Sequence, residues 1–506
     1  MSSSIIIGGG LAGLTAALHL AERGLTPLIL EARDDHAGGR VRGGDTIILP
    51  NGHTFRAEHG VHGIWNHYVN LKSMLRRHDI LPDLVPALEE NWVYKRGSRQ
   101  HTAPVGASIR YSWLAAPLHY VQILLRPRIL RVLGLDDLAS LFNVWYSLVL
   151  AVGIDPLAEA QPMQGYMLSD LVKNWSPALR AFIIGLTRNG MAAPPEEVPA
   201  AGFIAFIRFY TLMRRDAWQF SYLPGDAGTA LIDPLVAKIE ALGGKIQLGT
   251  RVTNLEPTAS GWQITMEGAR RKQPEHLTTP HLLLATDAPA AQRLLTSSPS
   301  TASQANQMYF PRGMASAVIR LWFNRLPNPT PEAGLFSGDY ILDNYFWLHR
   351  IHEQARKWSQ TTGGSLLEAH IYGPQTLLDE PDPVLLARAI ADIHTVYPEL
   401  RGARIHHTLA RNDPTHTLFG VGPRGQHPAT RTPWDKLYLA GDWVYHPAPA
   451  FYLERATLTG LEAANALLED IGLPPHPLEP YPEPEPLAKA IETLMRRGRK
   501  LRRNQV

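Results

Sequence analysis

The 506-residue chain has no cysteine. That excludes disulfides, thiolate zinc sites, iron–sulfur clusters, a cysteine nucleophile and attachment of a cofactor through cysteine. No apolar run reaches the roughly 20 residues that a membrane-spanning helix requires. The nearest, LASLFNVWYSLVLAVGI (138–154), is shorter and carries Asn143, and reads as a buried or membrane-touching helix. The opening MSSSIIIGGG has neither a basic segment nor a long apolar one, so no secretory signal is expected and the chain is assigned to the cytoplasm. Charge of neither sign dominates: the net charge of +3 argues against a general polyanion binder. No base-reading module accompanies the local basic runs, so no nucleic acid partner is expected. The 21 histidines are scattered, His406-His407 does not sit at metal-ligand spacing, and no metal is expected.

What is present describes a globular chain: 45% hydrophobic and 19% charged residues, with length for two or three domains. IIIGGGLAGLTAALHLAERGLTPLILEAR (5–33) reads as strand, glycine turn, helix, strand. Gly8, Gly10 and Gly13 form G-x-G-x-x-G, with Leu11 and Ala12 opening the helix. The glycines serve a tight turn, close approach of backbone to a pyrophosphate, and close helix–strand packing. The helix offers its unpaired N–H groups to phosphate. Glu31 closes the second strand where a carboxylate grips ribose hydroxyls, so the unit predicts dinucleotide binding.

Glu31, Ala32 and Arg33 are followed by Gly38, Gly39 and Arg40. This EAR…GGR pattern resembles that of flavoprotein oxidases of the amine oxidase and phytoene desaturase superfamily. The resemblance implies FAD, with Arg40 reaching back to its diphosphate. AEHGVHGIWNHYVNLKSMLRRHDI (57–80) is similar, at Gly60, His62, Tyr68, Asn70 and Leu71, to a segment of phytoene and ζ-carotene desaturases and of β-carotene desaturase/methylases of the isorenieratene synthase type. There Gly60, Val61 and His62 would lie along the flavin ring. YLPGDAGTALIDPLVAKIEALGGKIQLGTRVTNLEP (222–257) resembles a third block of the superfamily, with a helix ending at Gly243-Gly244 and Val252 against the adenine side. LYLAGD (437–442) and LERATLTG (453–460) resemble the closing block: Gly441 and Asp442 would contact the cofactor, Leu453 and Ala456 would lie on the helix beside it, and Tyr452 would stand at the flavin.

The resemblance implies an α/β, mixed α+β fold. A Rossmann-like FAD-binding domain is assembled from 1–85, 221–295 and 411–472. A substrate domain of mixed sheet and helices comes from 86–220 and 296–410, and a Pro-rich linker with a basic tail occupies 473–506. The implied activity is FAD-dependent oxidation of an apolar polyene or isoprenoid, most simply carotenoid desaturation with hydride transfer to flavin N5. Isomerisation, or ring aromatisation with methyl shift, stays open. Quinone or oxygen is the implied electron acceptor. Tyr452 and His62 are the candidate catalytic residues. A flavin amine oxidase is the rival reading, although no lysine occurs between Lys272 and Lys357 and the strand ASAVIRLWF (315–323) offers Arg320 where such enzymes carry one. Hydroxysqualene-type oxidation and a non-catalytic lipid carrier are further alternatives.

Two segments suggest a membrane surface. IRYSWLAAPLHYVQILLRPRILRVLGL (109–135) alternates Trp113, Tyr120, Leu124, Leu125, Ile129 and Leu130 with Arg110, Arg126, Arg128 and Arg131, as in a helix lying on a bilayer. The tail carries Lys489, Arg496, Arg497, Arg499, Lys500, Arg502 and Arg503 against Glu492 alone, a pattern that gains about 1 kcal/mol per basic residue at an anionic leaflet. The expectation is peripheral binding on the cytoplasmic face.

Overall fold

The isoleucines of β1 (Ser4–Ile7) are buried on both faces, as the central strand of a parallel sheet must be. The computed structural model describes residues 4–159, 163–268, 273–420 and 427–503; the side chains of Leu130, Arg131, Leu135, Asp136, Arg502 and Arg503 lie outside what is described. After β1 come α1 (Leu11–Glu22), β2 (Pro27–Leu30), β3 (Lys245–Gln247), β4 (Leu282–Leu284), β5 (Leu437–Leu439), α2 (Tyr452–Asp470) and α3 (Pro486–Arg503). The strands align in the order β3-β2-β1-β4-β5, all parallel, with Ile6 opposite both Ile29 and Leu283. Segments more than two hundred residues apart thus share one sheet. α2 returns to lie on α1: a Cβ on Gly460 would collide with the Ala12 carbonyl, so the two helices touch through backbone.

A second, seven-stranded sheet runs 405–417, 313–323, 365–371, 344–347, 333–338, 90–96, 99–104. Only the joint between 333–338 and 90–96 is parallel. The strand Ile405–Thr417 crosses residue 410 without a break and ends at Thr417, against the first sheet's Asp442. Burial along 313–323 and 365–371 is almost continuous, because both strands are covered on both faces.

The arginine-rich segment 109–135 is not one helix. It breaks into the short helices Gly106–Arg110, Val121–Leu124 and Pro127–Val132, because Pro117 and Pro127 lack the N–H that would continue a helix. Arg110 and Ile129 turn inward, Arg110 to Glu90 at 2.6 Å, while Trp113 (71% exposed), Leu125, Arg126 and Arg128 face out. The basic tail folds as α3 and docks along the helix Leu135–Gly153, where Arg496 and Arg499 both pair with Glu159. The proline-rich stretch before it is a strap: His476 bonds the His19 carbonyl, and Tyr481 the Glu454 carboxylate. No described helix is long and apolar enough to cross a membrane.

Candidate functional site

The three glycines at the head of α1 have different surroundings. A Cβ on Gly8 (φ +105°) would stand 2.7 Å from the Ala285 carbonyl oxygen, and one on Gly13 would collide with that of Gly8. Packing therefore demands both. A Cβ on Gly10 would meet nothing within 4 Å, so space stays open beside the helix N-terminus, where first-turn N–H groups lack intrahelical acceptors. Glu31 ties the turn to the end of β2: one carboxylate oxygen accepts the Gly9 N–H at 2.8 Å and the other the Arg33 N–H at 2.9 Å. Ala32 and Arg33 face outward, and the Arg33 side chain pairs with Asp35. Thr250 and Gly249 donate to the carbonyls of Glu31 and Arg33, which carries half-buried Val252 to the same rim.

Gly38 and Gly39, with φ of +118° and +57°, lay the next turn against Gly9 and Gly10 and aim Arg40 inward. Its Nη2 lies 2.7 Å from Oδ1 of Asp442, at the end of β5, and Thr417 donates to the same oxygen at 3.0 Å. Burial disfavours the Arg40 cation, yet Asp442 outweighs it and holds the guanidinium charged. Gly441 (φ +149°) is fixed by Thr459, whose hydroxyl both accepts its N–H and donates to its carbonyl.

Arg40, His62, Tyr372, His416 and Tyr452 are each half-buried. They also sense one another: Arg40 acts on His62, His416 and Tyr452, and Tyr372 acts on Tyr452. Burial lowers His62 and His416 to about 4, so both imidazoles are neutral. His62 Nδ1 is buried with no partner. Gly60 (φ +145°) lets the backbone pass His370, and Val61 packs half-buried beyond it. Tyr452 begins α2 with φ +50°, a left-handed conformation costing about 1–2 kcal/mol outside glycine. Among the described residues its hydroxyl bonds only Met191 Sδ, at 3.9 Å, and its ring meets Phe206, Tyr210 and His416. Leu453 is buried and Ala456 half-buried on the turn behind it.

Three features escaped the reading of the sequence. Glu454 and Arg455 of LERA are fully buried and structural: Glu454 receives the N–H groups of Asn70 and Leu71, and Arg455 donates to the carbonyls of Val444, His446, Ala448 and Ala450 under Phe419. Glu58, Arg320 and Glu368 form the third, with Arg320 Nη2 2.8 Å from Glu58 and Nε 2.6 Å from Glu368. Burial raises Glu58 to about 8; burial would also raise Glu368, but Arg320 and His370 override it and hold that carboxyl ionised. A lone Glu368 within the apolar SLLEAHI was the available signal, because a buried charge demands a partner. His19, Glu22 and His476 also cluster, but Arg77 reaches both His19 and Glu22, which fits a structural latch and not a cation site.

A five-stranded parallel sheet, a glycine turn open at its centre and an arginine held by the aspartate beyond β5 define a dinucleotide-binding flavoprotein fold. The chain belongs to the flavin containing amine oxidoreductase family, which matches residues 11–468. It is 28% identical over 493 residues to a carotenoid phi-ring synthase of Streptomyces griseus, covering 92% of this chain and 88% of that one. It is 22% identical over 496 residues to a probable zeta-carotene desaturase of Synechococcus elongatus, covering 92% and 98%. The solved cyclohexylamine oxidase of Brevibacterium oxydans shares the fold with a TM-score of 0.63 at 18% identity, over 93% of this chain and 99% of that one. The chain is thus a flavin-dependent oxidoreductase. The open space at Gly10, the inward Arg40 and the orphaned His62 nitrogen fit the flavin that family membership implies.

Proposed function

We propose that the protein is an FAD-dependent oxidoreductase acting on an apolar carotenoid or related isoprenoid, by desaturation or ring aromatisation. Gly8, Gly10, Leu11, Ala12, Gly13 and Glu31 would hold the adenosine diphosphate half of FAD. Gly38, Gly39, Arg40, Gly441 and Asp442 would hold the diphosphate and ribityl chain. Gly60, Val61, His62, Leu453 and Ala456 would line the ring, with Val252 on the adenine side. When bound, the flavin supplies the oxidant that removes a hydride from an allylic C–H bond. The chain's own groups place the polyene and keep water out.

One observation carries the substrate class. Around Tyr452 the packing partners are Met191, Phe206, Tyr210 and His416, and the neighbouring carboxylate Asp442 is already taken by Arg40. Among the described residues that pack on Tyr452, no free anion is left to balance an ammonium. Tyr452 and Tyr210 lie nearly parallel with centroids 6.2 Å apart, less than the roughly 7 Å that two van der Waals gaps of 3.5 Å require, so no amine chain fits between them. The two sequence relatives, a carotenoid phi-ring synthase and a probable zeta-carotene desaturase, support the same class.

Access from a membrane belongs to this reading. Leu138, Phe142 (76% exposed) and Tyr146 lie at i, i+4 and i+8 on the helix Leu135–Gly153, and Leu494, Arg497 and Lys500 are exposed on the adjoining α3. Trp113, Leu125, Arg126 and Arg128 are exposed as well, and such apolar, aromatic and basic residues would suit a peripheral contact with an anionic bilayer, with quinone or oxygen as the final acceptor. The test of substrate class is anaerobic titration of the purified flavoprotein. Bleaching of the flavin by a carotenoid and not by alkylamines supports the reading; the reverse pattern overturns it.

A further inference from the structure

Glu368, His370 and Tyr372 stand at alternate positions on and just beyond the strand Ser365–Ile371, which puts all three on one face. Their polar atoms form a continuous chain. Glu368 Oε2 lies 2.6 Å from Arg320 Nε, Glu368 Oε1 lies 2.9 Å from His370 Nε2, and His370 Nδ1 lies 3.1 Å from Tyr372 Oη. At the far end, Arg320 bridges on to Glu58, which accepts the Ala227 N–H. Arg320 with its two carboxylates would be complete as a structural cluster. The chain nevertheless runs on through His370, which lies under Gly60, to half-buried Tyr372, which also meets the Asn344 side chain and is close enough to Tyr452 to act on it.

We propose that Tyr372 accepts the proton lost from the substrate, with His370 as the base behind it and Glu368 steadying the imidazolium that results. This rests on the oxidoreductase reading above and deepens it. Forming a C=C bond from two C–H bonds removes a hydride from one carbon and a proton from its neighbour. A bound flavin would take the hydride with its electron pair, and the electron pair of the second C–H bond would become the new π bond. The released proton passes to the Tyr372 oxygen as the Tyr372 proton passes to His370 Nδ1. Glu368 then faces a cation through His370 Nε2–H, the arrangement by which a carboxylate supports a histidine base. Groups that act on His370 from the packed elements are Asp343, just before the adjoining strand 344–347, and His59 and His62 on either side of Gly60; Arg320 and Glu58 stand beyond Glu368.

The test uses full-length, flavin-loaded protein and the variants Tyr372→Phe and His370→Gln, neither of which removes a partner of Arg320. Both should keep wild-type flavin content and melting temperature. Photoreduction of the flavin, which breaks no substrate C–H bond, should be unchanged. Single-turnover reduction by a carotenoid should slow about 10²–10⁴-fold, with the acid limb of its pH profile lost. An active wild type matched in rate and profile by Tyr372→Phe sinks this proposal alone, whereas a wild type that oxidises no carotenoid sinks the substrate reading and this proposal with it. ¹⁵N-histidine spectra supply a readout independent of turnover. The signal absent from His370→Gln should show an unprotonated Nδ1 that shifts in Tyr372→Phe; a proton on that nitrogen overturns the relay.

Discussion

Glu454 caps the helix that begins at Val69: its carboxylate accepts the N–H of Asn70, 384 residues upstream, at 2.8 Å and the Leu71 N–H at 3.1 Å. Asn70 Nδ2 and the Tyr481 hydroxyl complete its shell. An acid at a helix N-terminus answers both the unpaired donors and the dipole. Glu454→Gln turns one acceptor into a donor amid donors and should cost about 1–3 kcal/mol, read from urea unfolding. Unchanged stability would show that the cap carries no weight.

Gly10 and Gly13 should part company under the same substitution. Gly10 has φ −73° and open space where a Cβ would stand, so Gly10→Ala should fold at least as stably as wild type yet lose flavin. Gly13→Ala drives a methyl into the Gly8 carbonyl and should destabilise the fold itself. Flavin-to-protein ratio and melting temperature, measured together, separate the two. A flavin-replete Gly10→Ala protein would remove the glycine turn from the binding site.

Among the described residues the Tyr452 hydroxyl meets a thioether and no stronger acceptor, so its ring carries the packing. Tyr452→Phe should therefore reduce its flavin within a few-fold of the wild-type rate, and Tyr452→Ala should not. A large loss in the Phe variant would assign the hydroxyl a part in the chemistry.

Glu58 links stability to pH. Its carboxyl has an ordinary value of 4.5 and burial raises it to about 8 in the fold, so its contribution is fully present below pH 4.5 and is lost as pH rises through 8. Glu58→Gln cannot ionise. The unfolding free energy of wild type minus that of Glu58→Gln should fall between pH 5 and pH 8, and a flat difference would show that Glu58 ionises normally in the fold.

Deleting the basic tail would also strip Arg496 and Arg499 from Glu159, so point changes give the cleaner membrane test. Phe142→Glu combined with Leu494→Glu alters only exposed apolar positions. It should weaken flotation with phosphatidylserine vesicles while leaving flavin content intact. Equal flotation would deny this face its membrane role.

Much of the fold was legible because its signals are local. A glycine that must adopt positive φ, an isoleucine run buried on both faces and an acid at a strand end are properties of neighbouring residues, and Gly8, Ile5–Ile7 and Glu31 stand as those signals require. The proline breaks at 117 and 127 were equally local and were overlooked in favour of the apolar–basic alternation around them.

The sequence by itself determined the dinucleotide turn, the parallel strands that carry it, and a chemistry without thiols. Only the tertiary structure decided which charges stand free. Arg40 finds Asp442, Arg320 finds Glu58 and Glu368, and Glu454 finds the helix at Asn70, each across more than forty residues of chain. The physical reason is desolvation: a buried charge must be paired, and which distant segment supplies the partner is set by packing, which no local pattern encodes.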